Sequence, residues 1–453
     1  MAILKKGKKL TTELYGWNVR VEKKLAEGGQ GAVYLVDTPE GERALKWYAP
    51  LQATQIQRKT IAELCGKGAP RTPESAGKRF VWPLDLVKDP EDDSTFGYVM
   101  ELIDTDHFLE LGEVQGRKKI QPSLRNLCRI CFLACQSYRA LHLAGFCYRD
   151  ISSGNLLFDP KDGNVLICDN DNVGVDGSSE AQVLGTVEYM APEIILGTGQ
   201  PCTDTDLYSL AVLFFQLWMW HHPMHGKMEY DIRLWDLSAK KRIYGEQPVF
   251  IFNPQDKRNE PPDDPEYNTV KKRWEICPPS LKNLFIRTFT EGLDEPKKRV
   301  TEGEWAKVFL QLADNTVTCK DCNAENLWDE KAPSRVCWNC GKSLPNYPKL
   351  ELKGPYGSFS LLLKTDFLLK NHHFAAPADI ELEHSVKWGG LRQNPNNPSV
   401  WGLQNLSSDT WKARFPDGSE HDIPEGLSVP LRDGVVIELP QQGNSPCTIL
   451  IKG

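Results

Sequence analysis

No stretch of the 453 residues approaches the roughly eighteen unbroken apolar positions that a membrane span requires. The best candidate, Leu210 to Trp220, is too short and is interrupted by Gln216, so it reads as a buried helix of a large lobe. Positive charge is also lacking. A formal net charge of −7 argues against a general nucleic-acid binder, which needs surplus Lys and Arg to displace counterions from phosphates. The local run Lys5-Lys6-Gly7-Lys8-Lys9 reads as a solvated tail. The lysines in Met1 to Leu10 are followed by neither an apolar core nor a small-residue cleavage site, so no secretion signal is expected. The expectation is a cytoplasmic chain with neither membrane nor nucleic acid as a partner. Pairing logic is missing from nine of the 13 cysteines, Cys65, Cys147 and Cys202 among them, which fits buried thiols in a reducing compartment. There is no internal repeat and no low-complexity tract.

What is present is an ordinary globular composition over a length that implies two to four domains. From Trp17 to about Leu102, short β-type runs such as Gly31 to Val36 and Tyr98 to Leu102 predict a small antiparallel sheet, with one helix near Gln55 to Leu64. From Pro122 to about Ala313 the apolar spacing turns helical, as in Leu127, Ile130, Cys131, Leu133, Ala134 and Leu141. The Pro- and charge-rich stretch Asn253 to Tyr267 interrupts it as a predicted surface loop.

Four groups of residues suggest chemistry. In Ala26-Glu27-Gly28-Gly29-Gln30-Gly31-Ala32-Val33 the glycines let backbone N–H groups approach a phosphate, because no Cβ intervenes. By itself such a turn between two strands is more often just a hairpin. Lys46 ends the apolar strand Ala44-Leu45-Lys46, and Glu63 is the only acidic residue between Glu42 and Glu74. A buried lysine that holds phosphates needs a carboxylate to fix it, and Glu63 is the expected one. Tyr148 to Asn155 places Asp150 and Asn155 five residues apart, and Asp169 follows the strand Val165 to Cys168. The last group is Gly185-Thr186-Val187-Glu188-Tyr189-Met190-Ala191-Pro192-Glu193.

In this order and spacing these motifs resemble the protein-kinase family over about residues 17 to 313. The resemblance implies that Asp150 accepts the proton of the substrate hydroxyl and that Asn155 and Asp169 hold Mg²⁺. It implies an ATP site formed by Gly28, Gly29, Gly31 and Val33 with Lys46 and Glu63, and by Glu101 and Ile103 beyond the strand Tyr98 to Leu102. Glu193 is expected to pair with Arg299, Asp206 to brace the catalytic loop, and Thr186 to tilt specificity toward Ser/Thr. The sequence Asp169-Asn170-Asp171 lacks the usual Phe and Gly, and Asp171 reads either as a further metal ligand or as a turn residue. Ser152 stands where Ser/Thr kinases carry a Lys, which admits an alternative, a nucleotide-binding pseudokinase scaffold. Ser178 and Ser179 read either as a regulatory site whose phosphate Arg149 pairs or as an exposed turn. The phosphate loop and the Cys168-Asp169-Asn170-Asp171-Asn172 run look like bacterial kinases that accompany a metal-dependent Ser/Thr phosphatase and a von Willebrand A protein, as in tellurite-resistance-type triads.

Cys319-x-x-Cys322 and Cys337-x-x-Cys340, fourteen residues apart, have the spacing of a structural four-cysteine Zn²⁺ site. From Leu350 onward, alternating runs broken by Pro416-Asp417-Gly418 and Arg432-Asp433-Gly434 predict an antiparallel sandwich. This segment faintly resembles forkhead-associated domains, without the Gly-Arg and Ser-x-x-His elements that read phosphothreonine. A binding or packing module that does not depend on phosphate is expected. The predicted class is α+β: a bilobal kinase over 1–313 (N-lobe about 1–102, C-lobe about 103–313), a zinc ribbon over 314–346 and an all-β domain over 350–453.

Overall fold

The structure, a computed structural model, describes residues 4–71, 74–116, 120–177, 185–354, 357–374, 386–442 and 445–452. The chain falls into two compact units. Residues 1–122, 137–273 and 285–300 form the first, and 123–136, 274–284 and 301–453 form the second.

In the first unit, β1 (Lys9–Thr12), β2 (Asn18–Glu27), β3 (Gly31–Thr38), β4 (Gly41–Tyr48), β5 (Asp85–Asp89) and β6 (Asp92–Met100) close into an antiparallel barrel of order β1-β2-β3-β4-β6-β5. Because strand side chains alternate, Tyr34 and Val36 of β3 and Leu45 and Trp47 of β4 fill the barrel with Leu10, Val19, Val21, Val87 and Val99. The opposite face of β4 carries Lys46 and Tyr48, both buried. β4 thus runs two residues beyond Lys46, the end expected from its apolar run, to Tyr48. The turn between β1 and β2 is held by Asp85, whose buried carboxylate accepts the backbone N–H groups of Leu14 and Tyr15, each at 2.9 Å.

Helix α1 (Gln55–Lys67) covers the helical stretch expected near Gln55 to Leu64 and runs three residues beyond it; its N-cap is Thr54, whose hydroxyl accepts Gln57 N–H. Its buried residues are Ile61 and Leu64, so the inward stripe continues back to the half-buried Gln57. Further along, Thr203–Met219 is the buried helix expected around Leu210, with positions 210 to 215 wholly inaccessible. Phe215 meets Phe250, Phe285 and Phe289 with ring centroids 5.3 to 6.2 Å apart. The helix stops at Trp220, which has φ +56°; Arg273 lies over that ring and donates to Trp218 O. Within the irregular 253–267 segment Asn259 is buried, and its amide bonds Met224 O, Val249 O and Met228 N–H. No helix among the described residues is long and apolar enough to cross a membrane.

In the second unit, helix Glu302–Asp314 opens with a capping box between Thr301 and Glu304. Strands Thr316–Thr318 and Glu325–Leu327 pair beside the cysteine cluster. A six-stranded antiparallel sheet follows the order Gly357–Leu362, Lys349–Gly354, Ser445–Lys452, Val436–Gln442, Trp411–Arg414, Glu420–Ile423. A four-stranded sheet runs Leu368–Lys370, Lys387–Asn394, Asn397–Asn405, Ser428–Pro430. The Trp411 ring of the first sheet lies against Gly389 of the second, where a Cβ would come within 2.9 Å of it.

Buried imidazoles give the first unit an expected sensitivity to acid. His222 accepts Met224 N–H at Nδ1 and donates from Nε2 to Glu188 O, so its neutral form satisfies both ring nitrogens. Burial pushes its pKa down to about 3, and that of His225, beside Tyr244, to about 2. The folded state therefore binds fewer protons than the unfolded chain below the ordinary histidine value. The contribution is complete above about pH 6.5 and is lost as pH falls, at about 1.4 kcal/mol per pH unit for each histidine. Urea unfolding followed from pH 7.5 to 5.0 should show this decline, and His222→Gln should flatten it by about one proton. An unchanged slope in the variant would mean that His222 is already charged in the folded protein.

Candidate active site

The β2–β3 hairpin presents the glycine-rich turn, closed by Gly28 N–H to Gly31 O at 2.9 Å. At Gly28 and Gly29 a Cβ would meet nothing within 4 Å, so the turn is open to solvent. Gly31 is different, because a Cβ there would stand 2.1 Å from Trp47 O. Its lack of a side chain lets β3 lie against the end of β4, where Gly31 is paired with Tyr48. Val33 is paired with Lys46 in the same register, so both side chains lie on one face of the sheet.

Lys46 is only 5% exposed. Its ammonium lies 2.8 Å from Asp171 Oδ2, 3.5 Å from Asp169 Oδ1 and 2.7 Å from Gln30 Oε1. Burial draws its pKa down, but the carboxylates of Asp171 and Asp169 outweigh that, leaving it above the ordinary lysine value and charged. The pairing expected with Glu63 is not made. Glu63 is exposed on the outer face of α1, because helical phase from Ile61 and Leu64 turns position 63 away and position 57 inward. Gln57 takes the inner place and donates to Tyr48 Oη and to Asp171 O, each at 3.1 Å. Tyr48 donates its hydroxyl to Asp171, and burial followed by that carboxylate raises its pKa well above the ordinary phenol value. Asp171 lies in the turn Asn170–Asn172 just past the strand Val165–Ile167, and its carboxylate is bound to Lys46 and Tyr48 and so is not a free metal ligand. Its side chain is 0% exposed and both oxygens are engaged.

Asp169 sits two residues away in the left-handed region, φ +48°, with its side chain 46% exposed. Between them Asn170 occupies the place of the missing Phe. It is wholly buried, and its amide donates to Val81 O and Ile167 O at 2.9 and 2.8 Å. Those bonds hold the peptide so that Asp169 and Asp171 reach the same ammonium.

Asp150 is approached from two sides. Thr186 donates to Oδ1 from both its backbone N–H and its hydroxyl at 2.8 Å, and Asn155 Nδ2 bonds Oδ2 at 3.1 Å and Asp150 O at 2.8 Å. Burial raises its pKa, with the Thr186 and Asn155 hydrogen bonds acting against that rise. The close approach of Thr186 depends on Gly185, at φ +102°, where a Cβ would stand 2.5 Å from Arg149 O. Arg149 itself has φ +73°, a conformation supported by Asp206, whose carboxylate accepts the N–H groups of Tyr148 and Arg149 at 2.5 and 3.0 Å. Cys168 N–H to Asn155 O, 2.9 Å, joins the Asp150 loop to the strand leading to Asp169. Tyr148 is buried and donates its hydroxyl to Cys168 O, a packing role. Ser152 is buried too, and the ammonium placed beside Asp169 is that of Lys46.

Glu193 and Arg299 form the expected pair, bidentate at 2.7 and 2.9 Å, with Arg299 also bonding Gly292 O and Asp204 O. Glu101 and Ile103 lie in the irregular segment after β6; Glu101 is exposed and 3.5 Å from Arg43 Nε. Ser178, Ser179 and Glu180 lie outside the described residues.

Two clusters in the second unit have metal-ligand chemistry. The Sγ atoms of Cys319, Cys322, Cys337 and Cys340 all lie within 4.8 Å of one another, with Cys319–Cys340 at 3.7 Å and Cys322–Cys337 at 3.6 Å. These separations are too long for disulfides and match the roughly 3.8 Å edge of a tetrahedron with ~2.3 Å metal–sulfur bonds. Each knuckle turns through a left-handed residue just past or near its second cysteine, Asn323 at φ +58° and Gly341 at φ +70°. Asn326 Nδ2 reaches Cys337 Sγ at 3.6 Å. The other cluster, Asp314 with His372 and His373, fits a metal poorly. His373 Nδ1 accepts Lys370 N–H, so Nε2 carries the proton and donates it to Asp314 at 3.2 Å, leaving no lone pair there for an ion.

The sequence profile of the protein kinase domain family matches residues 20–306. Serine/threonine-protein kinase PknD of Protochlamydia amoebophila is 27% identical over 231 residues, 44% of this chain and 22% of that protein. Serine/threonine-protein kinase sck2 of Schizosaccharomyces pombe is 26% identical over 212 residues, 45% and 31% of the two chains. A putative ribosomal protein S6 kinase alpha-1 of Caenorhabditis elegans is 36% identical over 103 residues, 22% and 13%. The chain thus spans less than a third of the length of these relatives.

The exposed position of Glu63 carries a direct expectation. Glu63→Gln should leave the affinity for a fluorescent ATP analogue within about twofold, as for a surface substitution. A tenfold loss would return Glu63 to the site.

Proposed function

The chain belongs to the protein kinase domain family, and on that premise we propose that it transfers the γ-phosphoryl group of Mg-ATP to Ser or Thr of a protein substrate. The observation that carries the reading is the arrangement of Asp150. Its carboxylate is held by Thr186 and Asn155 on a loop whose Asn155 carbonyl accepts the N–H of Cys168, next to Asp169. Bound Mg-ATP would supply the phosphoryl group and its charge neutralisation, with the ion held by Asn155 and the half-exposed Asp169. Lys46, kept charged, orients phosphate oxygens under the turn formed by Gly28, Gly29 and Gly31, and Val33 covers the face that Lys46 occupies. Glu101 and Ile103 flank the nucleotide base. Asp150 accepts the proton of the attacking hydroxyl, and its raised pKa brings it closer to the pH at which a base works well. The presence of Lys46, Asp150, Asn155 and Asp169 together supports a turning-over kinase over a pseudokinase scaffold.

In the second unit, the proposal assigns Cys319, Cys322, Cys337 and Cys340 to a structural Zn²⁺, since a closed four-thiolate set leaves no position for a substrate. It partitions the chain into a kinase over 1–313, a zinc ribbon over 314–346 and a forkhead-associated-like β-sandwich over 350–453, supported by the sulfur geometry and by the two antiparallel sheets. Free buried thiols such as Cys128 and Cys277 support a reducing, cytoplasmic setting. The motif likeness to triad-type bacterial kinases supports a metal-dependent Ser/Thr phosphatase and a von Willebrand A protein as partners.

Two experiments test this. Purified protein with Mg²⁺ and γ-labelled ATP should label Ser or Thr of a basic acceptor protein, and Asp150→Asn and Asp169→Asn should each reduce labelling about a hundredfold or more. Nucleotide binding without any transfer would instead identify a scaffold. Elemental analysis of the same protein should find about one zinc per chain, lost in Cys319→Ser together with Cys337→Ser. A metal-free wild type that melts at the same temperature would remove the zinc assignment.

A further inference from the structure

Kinase chemistry requires the lysine under the glycine-rich turn to be aimed at phosphate oxygens, and an isolated ammonium at the end of four methylenes has no preferred aim. We propose that Asp171 is the positioning residue for Lys46, in place of any carboxylate on helix α1. The inference rests on the kinase reading and deepens it.

Five observations converge. Asp171 is the nearer of the two carboxylates to Lys46, 2.8 Å against 3.5 Å for Asp169. Its side chain is wholly buried, whereas that of Asp169 is 46% exposed and so remains available to an ion. Its orientation is over-determined: Tyr48 donates to one oxygen, and Gln57 bridges Tyr48 Oη and Asp171 O. Helix α1 supplies that bridge through an amide, while Glu63, its candidate acid, faces solvent. The strand makes the arrangement local, since Lys46 and Tyr48 stand two apart on β4 and share a face. Helix α1 then acts on Lys46 at second hand. Gln57 holds the tyrosine and the backbone of Asp171, and Asp171 holds the ammonium.

A positioning role acts through Lys46 and vanishes without it, which a packing role does not. The test uses the full chain with Asp171→Asn, Tyr48→Phe, Asp171→Glu, Lys46→Met and the double variant Lys46→Met with Asp171→Asn. Turnover is followed with the acceptor protein. Affinities for Mg²⁺ with a non-hydrolysable ATP analogue and for adenosine alone are measured by calorimetry.

Asp171→Asn should lower kcat about thirtyfold or more with a smaller change in KM for ATP, and Asp171→Glu should restore part of it. The preference for the triphosphate analogue over adenosine should fall at least fivefold. In the Lys46→Met background the same Asp171 change should alter neither quantity more than twofold. Tyr48→Phe, which keeps the ion pair, should cost three- to tenfold in kcat, and it decides the matter if Asp171→Asn does not fold. A Tyr48→Phe and Asp171→Asn that both turn over within threefold of wild type would overturn the inference. So would an Asp171 effect that persists undiminished without Lys46. If wild type transfers no phosphate, the proposed function fails, and the affinity cycle still decides the role of Asp171.

Discussion

A lysine ammonium 5% exposed inside a protein is costly unless a carboxylate lies within hydrogen-bonding distance, and breaking such a pair typically costs about 3–5 kcal/mol. Much of the first unit can be understood from that requirement at Lys46. The barrel interior claims Leu45 and Trp47, which turns Lys46 and Tyr48 to the other face of β4. Gly31 permits β3 to lie against the end of that strand. The carboxylate arrives from the far side of the site, on a segment held by two hydrogen bonds from Asn170. Replacing the usual Phe and Gly by Asn and Asp exchanges an apolar plug for a hydrogen-bonded one and brings a second acid to the lysine.

The loop that carries Asp150 is organised by a different buried carboxylate. Asp206, at the start of an almost wholly inaccessible helix, accepts two consecutive backbone N–H groups and stabilises Arg149 in a conformation that non-glycine residues seldom adopt. Gly185 admits the backbone of the next segment to the same point, and Thr186 can then bind Asp150 with two donors. The Glu193–Arg299 pair holds the far end of that segment, with the guanidinium also satisfied by two carbonyls. Positive-φ backbone occurs at Arg149, beside Asp150, and at Asp169, and at Arg149 the local preference is overridden by the hydrogen bond from its N–H to Asp206.

The second unit relies on a cysteine cluster and on sheets. Its four sulfurs lie within 4.8 Å of one another although they come from two separate turns, and Asn326 bonds both a sulfur and the backbone of Trp338. The histidine pair beside Asp314 resembles a metal site in composition alone. The tautomer forced by Lys370 N–H makes it a hydrogen-bonded tie at the end of a helix.

Sequence by itself determined what depends on spacing along the chain: the order of the motifs, the strand-rich then helical halves, the buried helix around Leu210, the Glu193–Arg299 pair and the cysteine spacing. These were legible because β alternation, helical periodicity and family motifs are local or appear in fixed order. The partner of Lys46 was not. Glu63 looked right as the sole acid of its segment, yet the phase of Ile61 and Leu64 already placed it outward and Gln57 inward, a signal present in the sequence but outweighed by charge. That Asp171 takes the place, with Tyr48 as its support, was decided only by tertiary structure. The pair spans 125 positions of chain, and only the closed barrel and the bonds of Asn170 bring its two halves within reach.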